Sequence, residues 1–217
     1  MMEIKDIEYT CPYCGKTFET RLYEAVNASE DVDLAELSRS GDIFKHLCPH
    51  CHTDFMIQNH FVYHDPSRKF MIVLSNEDVP YAMREYAKPM VEKGYRLRHC
   101  KTVRDFTEKV QIFEDGIDDV LVELAKYDSF IEFIDNRKGN AEEVTSIEYQ
   151  STKDDVMKIN VRTDDKGLSF LIPVAGLEEV VSSQQDRFRL DEASFPCVDS
   201  AWIISLYLED QQEEMLH

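Results

Sequence analysis

The sequence predicts an α+β protein, and three observations predict it. Two turns of one form, Cys11-Pro12-Tyr13-Cys14 and Cys48-Pro49-His50-Cys51, punctuate a front region rich in β-formers. Between residues 81 and 135 apolar residues recur at helical spacing. From residue 142 onward, short runs of strand-forming residues follow one another across polar joints. The expected architecture is a ribbon-like β domain with a helical insert over residues 1–110, a helical connector over 111–140, and a small acidic α+β domain with an antiparallel meander over 141–217.

The two turns come first because they carry the strongest chemistry. A C-x-x-C turn sets two sulfurs on one side of a tight knuckle, and two such turns supply the four thiolates of a tetrahedral divalent metal. Cys11, Cys14, Cys48 and Cys51 are therefore the candidate metal ligands, with structural zinc as the first reading. Iron in a rubredoxin-like site and a redox dithiol are the other chemistries this pattern supports. A closed shell of four cysteines leaves no position for substrate. Gly15 follows the first knuckle where positive φ is wanted, and His52 takes that place after the second. The loop from Gly15 to Leu47 exceeds the ~15–20 residues of a compact zinc ribbon. Its contents explain the length: a strand over 17–25, then a short helix over 31–37 ended by Gly41.

Residues 53–63 read as one return strand. Phe55, Ile57, Phe61 and Tyr63 fall on one face, and Met56, His60, Val62 and His64 on the other. A turn at His64-Asp65-Pro66-Ser67 leads to a strand over 69–74, central because it is apolar on both faces. Pro80 opens a helix over 81–91, which Pro89 limits or kinks, and 95–100 is the next strand. Thr102 with Asp105 three residues on begins a helix whose stripe is Val103, Phe106, Val110 and Phe113. Asp118 or Asp119 starts a longer helix with Leu121, Leu124, Phe130, Ile131 and Ile134 inward, stopping at Gly139-Asn140. Strands over 144–150, 156–162 and 168–174 form the meander. A helical turn over 177–182 and an amphipathic helix over 200–212, with Trp202, Leu206 and Tyr207, complete the chain, with a strand as the alternative that the β-branched Ile203-Ile204 leaves open.

The net charge of −19 is unevenly placed. Residues 1–110 hold 15 Lys/Arg against 18 Asp/Glu, whereas residues 111–217 hold 9 against 25. Nucleic-acid affinity rests on neutralised phosphates, so the acidic half argues against a nucleic-acid partner. The stretch 93–109 is locally basic, and it reads as the solvated side of a strand and helix. Cys100 and Cys197 lie outside the knuckles and read as buried free thiols, consistent with a reducing compartment. The N-terminus lacks an apolar h-region, and 70–74 is too short to span a bilayer, so the expected setting is cytoplasmic with no membrane. His60 and His64 on one strand face are a weak candidate for a second metal site. No glycine-rich phosphate loop, zincin helix or nucleophile elbow occurs, and no catalytic residue is expected.

Taken together, Cys11-Pro12-x-Cys14-Gly15, Cys48-Pro49-x-Cys51, Tyr63-His64-Asp65, Lys69-Phe70-Met71-Ile72, Arg96-Leu97-Arg98 and the segment 112–119 resemble the bacterial and archaeal CpXC domain family, over roughly residues 8–135. That resemblance implies a zinc-ribbon-like domain of uncharacterised activity and transfers no catalytic residues. The leading functional expectation is a zinc-stabilised, non-catalytic interaction or regulatory module with a protein partner or small ligand, able to form a homo-oligomer. The alternatives are a thiol redox protein using the C-x-x-C pairs and a nucleic-acid-associated zinc ribbon.

Overall fold

The computed structural model describes residues 3–136 and 139–214, with side chains described as far as Leu208. The chain is α+β and forms two compact units. One runs to Val110 and also takes in Asp191–Pro196; the other comprises Gln111–Leu190 and the chain from Cys197 onward.

The first unit is built on a mixed five-stranded sheet in the order β1-β2-β5-β6-β7. β1 (Glu3–Thr10) and β2 (Thr17–Asn27) form an antiparallel hairpin whose turn is the first knuckle. The charged text of residues 3–8 hides β1 from sequence reasoning. Its apolar residues Ile7 and Tyr9 pack near the knuckle in the cluster that holds Phe18 and Phe55. The far end of β2 pairs in parallel with β5 at Ala25–Asn27. α1 (Val32–Ser40) is the expected insert, and Gly41, at φ 75°, ends it by donating its N–H to the Ser38 carbonyl.

The single strand expected over 53–63 is two strands in two sheets. β3 (Lys45–Leu47) and β4 (Asp54–Met56) make a small hairpin carrying the second knuckle, and β5 (Phe61–Asp65) belongs to the large sheet. Side chains of the intervening residues satisfy backbone groups that a ladder would otherwise occupy. Asn59 Nδ2 donates to the Tyr23 carbonyl at 2.8 Å. Gln58 Nε2 donates to Asn76 Oδ1 and the Lys101 carbonyl, each at 2.7 Å, while its Oε1 accepts from Val103 N. The alternation nevertheless persists: Phe55, Ile57, Phe61 and Tyr63 are buried, whereas Met56 and His60 are exposed.

β5 pairs antiparallel with β6 (Phe70–Leu74), which pairs in parallel with β7 (Arg96–Cys100) across α2 (Tyr81–Glu92). The central position expected for β6 is observed. α3 (Val103–Glu114) starts as its sequence implies, with Asp105 N donating to Thr102 Oγ1 and that hydroxyl donating to Asp105 Oδ2. Phe106 from this helix meets Phe44 and Phe61 edge-to-face at 5.8 and 5.5 Å, an aromatic core with almost no exposure. On α2's side, Val73, Val79, Ala87 and Leu97 form a second cluster that also holds Phe195. Phe195 arrives with the returning segment. Glu192 Oε2 accepts from Leu97 N and from the buried Arg98 guanidinium at 2.7 Å, and the Pro196 carbonyl accepts from His99 N. The outer edge of β7 is thereby covered.

In the second unit, α4 (Asp119–Asp135) is capped by Asp118, whose carboxylate accepts from Val120 N. Leu121 and Leu124 point inward as expected, but Ile131 is 38% exposed and Phe133 takes the inward place. The first two turns are buried on every side, Asp119, Glu123 and Lys126 included, so the single-stripe pattern does not describe this helix. β8 (Val144–Lys153), β9 (Val156–Thr163) and β10 (Gly167–Pro173) form the meander, in the order β10-β9-β8. α5 (Val174–Ser183) is a full helix where a single turn was expected. In α6 (Ser200–Glu214) Tyr207 stacks on Tyr127 at 4.3 Å, with the Arg187 guanidinium 4.1 Å above its ring. Among the described residues, no helix is long and apolar enough to cross a membrane.

Candidate metal centre

The two knuckles are built alike, bond for bond. Cys11 N donates to the Lys16 carbonyl and Gly15 N to the Cys11 carbonyl, both at 3.0 Å. Cys48 N donates to the Thr53 carbonyl at 3.1 Å and His52 N to the Cys48 carbonyl at 2.9 Å. Gly15 and His52 occupy matching left-handed positions, at φ 71° and 56°. Each turn thus closes a short hairpin, β1–β2 in one case and β3–β4 in the other. The first cysteine of each pair is buried, Cys51 is half-buried, and Cys14 is exposed.

All four Sγ atoms lie within 4.8 Å of one another. Two separations that cross between knuckles are Cys14 to Cys48 at 3.7 Å and Cys11 to Cys51 at 3.8 Å. A tetrahedron with metal–sulfur bonds of about 2.3 Å has sulfur–sulfur edges of about 3.8 Å. A disulfide would need about 2.05 Å. The spacing therefore fits four thiolates around one ion. It does not fit two oxidised pairs.

Hydrogen bonds divide the sulfurs. The Thr53 hydroxyl, and then its backbone N–H, hold the Cys51 thiol down to about 6, and the thiols of Cys48 and Cys11 assist. Cys14 accepts the N–H of Lys16, which favours its thiolate, yet desolvation and the other three sulfurs push it up to about 11. Tyr13 N points at Cys11 Sγ from 3.4 Å. Four sulfurs this close cannot all ionise unaided, whereas a divalent cation supplies the charge that lets them.

An apolar floor fixes the knuckles. Cys11, Leu22, Cys48, Phe55 and Ile57 form one buried cluster, and Tyr9 stacks on Phe55 at 5.5 Å. His46 sits beside it, its Nδ1 3.0 Å from Thr20 Oγ1, and burial keeps this histidine below its usual pKa. The structure thus brings all four predicted ligands together. It does not unite the histidines. His60 is exposed, and His64 faces the Tyr95 hydroxyl at 3.4 Å. Among the described residues, the four cysteines are the one group of three or more metal-binding side chains gathered in range of one ion. Of the basic stretch 93–109, Arg98 and Lys109 are buried. Cys100 is buried as expected, while Cys197 is only partly so and lies 3.2 Å from Asp199 Oδ2.

Sequence reasoning missed Thr53 as the residue that conditions Cys51. The signal was available as register: Thr53 stands two residues after Cys51, where Lys16 stands after Cys14. Comparison with known proteins adds one finding. The family model described as CpXC protein matches residues 9–126. No curated protein and no solved structure matches the chain.

Proposed function

The chain belongs to the CpXC family, and on that premise we propose a non-catalytic interaction or regulatory module stabilised by a structural zinc ion on Cys11, Cys14, Cys48 and Cys51. The observation that carries this reading is the sulfur spacing of 3.7 and 3.8 Å between two knuckles with matching backbone hydrogen bonds. Such a shell is closed, so the ion holds the hairpins together and leaves no position for substrate. The first unit then acts as a rigid display element. The acidic half is the surface for a protein partner or small cationic ligand, in a reducing cytoplasmic setting that keeps the thiols available. Elemental analysis of protein purified without added metal, with thiols titrated in parallel, tests the reading. The expected result is one zinc per chain, with the four knuckle thiols protected from labelling until a chelator is added. Iron in place of zinc would keep the structural role and change the ion.

One observation favours a second reading, a thiol redox protein: Cys51 is held as a thiolate near neutral pH while Cys14 is exposed. Little bound metal, together with ready oxidation of both pairs and disulfide reductase activity, would establish it in place of the first.

A further inference from the structure

The strands that end the two larger sheets are protected in different ways, and one of them is not protected. An open edge offers unpaired N–H and C=O groups to any passing strand, and charge, bulges or covering segments normally block it. β1 carries Glu3, Lys5, Asp6 and Glu8. β7 lies under the segment Asp191–Pro196. β8 is interrupted by register shifts at Thr145 and Gln150, and its Gln150 carbonyl accepts from Gln111 Nε2. β10 has none of these devices. Gly167-Leu168-Ser169-Phe170-Leu171-Ile172-Pro173 contains no charged residue, and its ladder with β9 runs without a shift. Among the described residues no strand lies beyond it.

The hydrogen bonds fix which groups face outward. Thr163 N donates to the Lys166 carbonyl and Val174 N to the Asp155 carbonyl, so these two opposed pairs are the bonded kind. Bonded and non-bonded pairs alternate along an antiparallel ladder. The even-numbered residues of β10 therefore turn their backbone groups to β9. Gly167, Ser169 and Leu171 turn theirs to the open edge. Leu171 is 69% exposed there. Leu168, Phe170 and Ile172 share the sheet face of Met157, Ile159 and Val161, which is buried in this unit.

We propose that β10 is a self-association edge, on which two copies of this chain pair antiparallel about Phe170 and join their meanders into one six-stranded sheet. A two-fold axis through the sheet places each residue opposite one on its own face. About Phe170, that ring meets its counterpart, and Leu168 meets Ile172 of the second copy, all on the apolar face. Ser169 and Leu171 exchange backbone hydrogen bonds, and Gly167 N–H reaches the Pro173 carbonyl. Pro173, which has no N–H to give, falls at the end of the ladder, where it breaks nothing. The register complements itself and sets no charge against charge, although residues 111–217 carry 9 Lys/Arg against 25 Asp/Glu. A strand of another protein has no such match built in.

Sedimentation velocity on the full, zinc-loaded chain over a range of concentrations tests this. The expected result is a monomer–dimer equilibrium, with the amides of Ser169 and Leu171 exchanging more slowly as dimer accumulates. Leu171→Pro removes two hydrogen bonds across the axis and none to β9, so the dimer should weaken roughly 30-fold. Leu171→Glu faces Lys158 within its own copy and sets two carboxylates diagonally across the axis, so it should weaken the dimer by a smaller factor. Both variants should keep the wild-type far-ultraviolet circular dichroism and melting temperature at dilutions where the wild type is monomeric. A chain that stays monomeric up to about 1 mM, or a dimer that survives both substitutions, overturns the proposal.

Discussion

At the scale of single residues, the centre rests on sulfurs whose neighbours are not equivalent. Cys51 is conditioned by Thr53 and buttressed by the Phe55 cluster, so Cys51→Ser removes a ligand and leaves the fold's apolar floor intact. On the proposed zinc reading, bound metal should fall from one ion per chain to a small fraction. The loss should destabilise the first unit by several kcal/mol, because binding energy at such a site is folding energy. Elemental analysis and denaturant unfolding followed at Trp-independent wavelengths check both halves. Asp65 makes a second residue-scale case. It is 1% exposed and its Oδ1 accepts from Ser67 N and Arg68 N, while Oδ2 holds the Arg68 guanidinium at 2.8 Å. Burial raises its pKa, but the Ser67 hydroxyl, which also donates to Oδ1, then the Arg68 N–H and guanidinium outweigh it and leave the carboxyl lowered. A lowered folded pKa contributes stability that is fully present above the unfolded value of about 3.9 and is lost as pH falls through the folded one. Asp65→Asn should thus be less stable than wild type at pH 7, and the gap should narrow as the pH drops below about 4. A gap independent of pH would show that shape, not charge, orders this turn. Of these features the ligands were legible, because identical turns announce them. The turn was located too, but His64 stood beside the residue that does the work. Sequence cannot say which of two adjacent polar residues faces inward.

At the scale of elements, most strands and helices were legible wherever one period dominated. β6, α2, α3 and the meander stand where alternation, Pro80, Thr102 and the polar joints put them. The failures share a cause: tertiary bonds decided what local pattern left open. Phe55, Ile57, Phe61 and Tyr63 stay buried across 53–63, yet the strand breaks there because Asn59 and Gln58 spend their amides on Tyr23, Asn76 and Lys101. Asn59→Ala should therefore loosen the crossing between the knuckle hairpin and the large sheet. About 1–2 kcal/mol of stability should go with the bond to Tyr23, and hydrogen exchange at β4 should speed up more than at β6. Equal acceleration in both strands would mean that the crossing is not a joint. β1 was missed for the opposite reason. Its charges blunt an edge, and the same charges erase the strand signal. α4 ends at Asp135, short of the expected stop at Gly139, and Gly139 N donates back to the Phe133 carbonyl at 2.9 Å. A methyl group there would fall inside the van der Waals surface of the buried Phe133 ring. Gly139→Ala should lower stability by roughly 1–3 kcal/mol, as overpacking does. A melt with no shift would mean that the ring moves aside.

At the scale of the whole molecule, the first unit is not continuous in sequence. The matched family region ends at residue 126, yet Asp191–Pro196 supplies Phe195 to its core and Glu192 to Arg98. Nothing local in those six residues signals this, since a short acidic segment before a proline reads as a loop. The physical demand came from the other side: a buried arginine and an open strand edge need a carboxylate and a cover. Arg98 is 2% exposed at its side chain and Glu192 26%, so this pair is desolvated chiefly on the arginine side. Glu192→Ala takes a carboxylate from a buried guanidinium, and the expected loss is roughly 2–4 kcal/mol, near the lower end for breaking a buried pair. The loss should appear in the first unit, as faster hydrogen exchange along β7, although the substitution lies 92 residues beyond Cys100. A fragment ending after residue 126 should show the same defect in metal-supplemented buffer, because an ion on the four cysteines would brace the knuckles and not β7. If that fragment melted like the intact chain, the metal and the aromatic core alone would suffice, and the returning segment would be ornament on a complete domain.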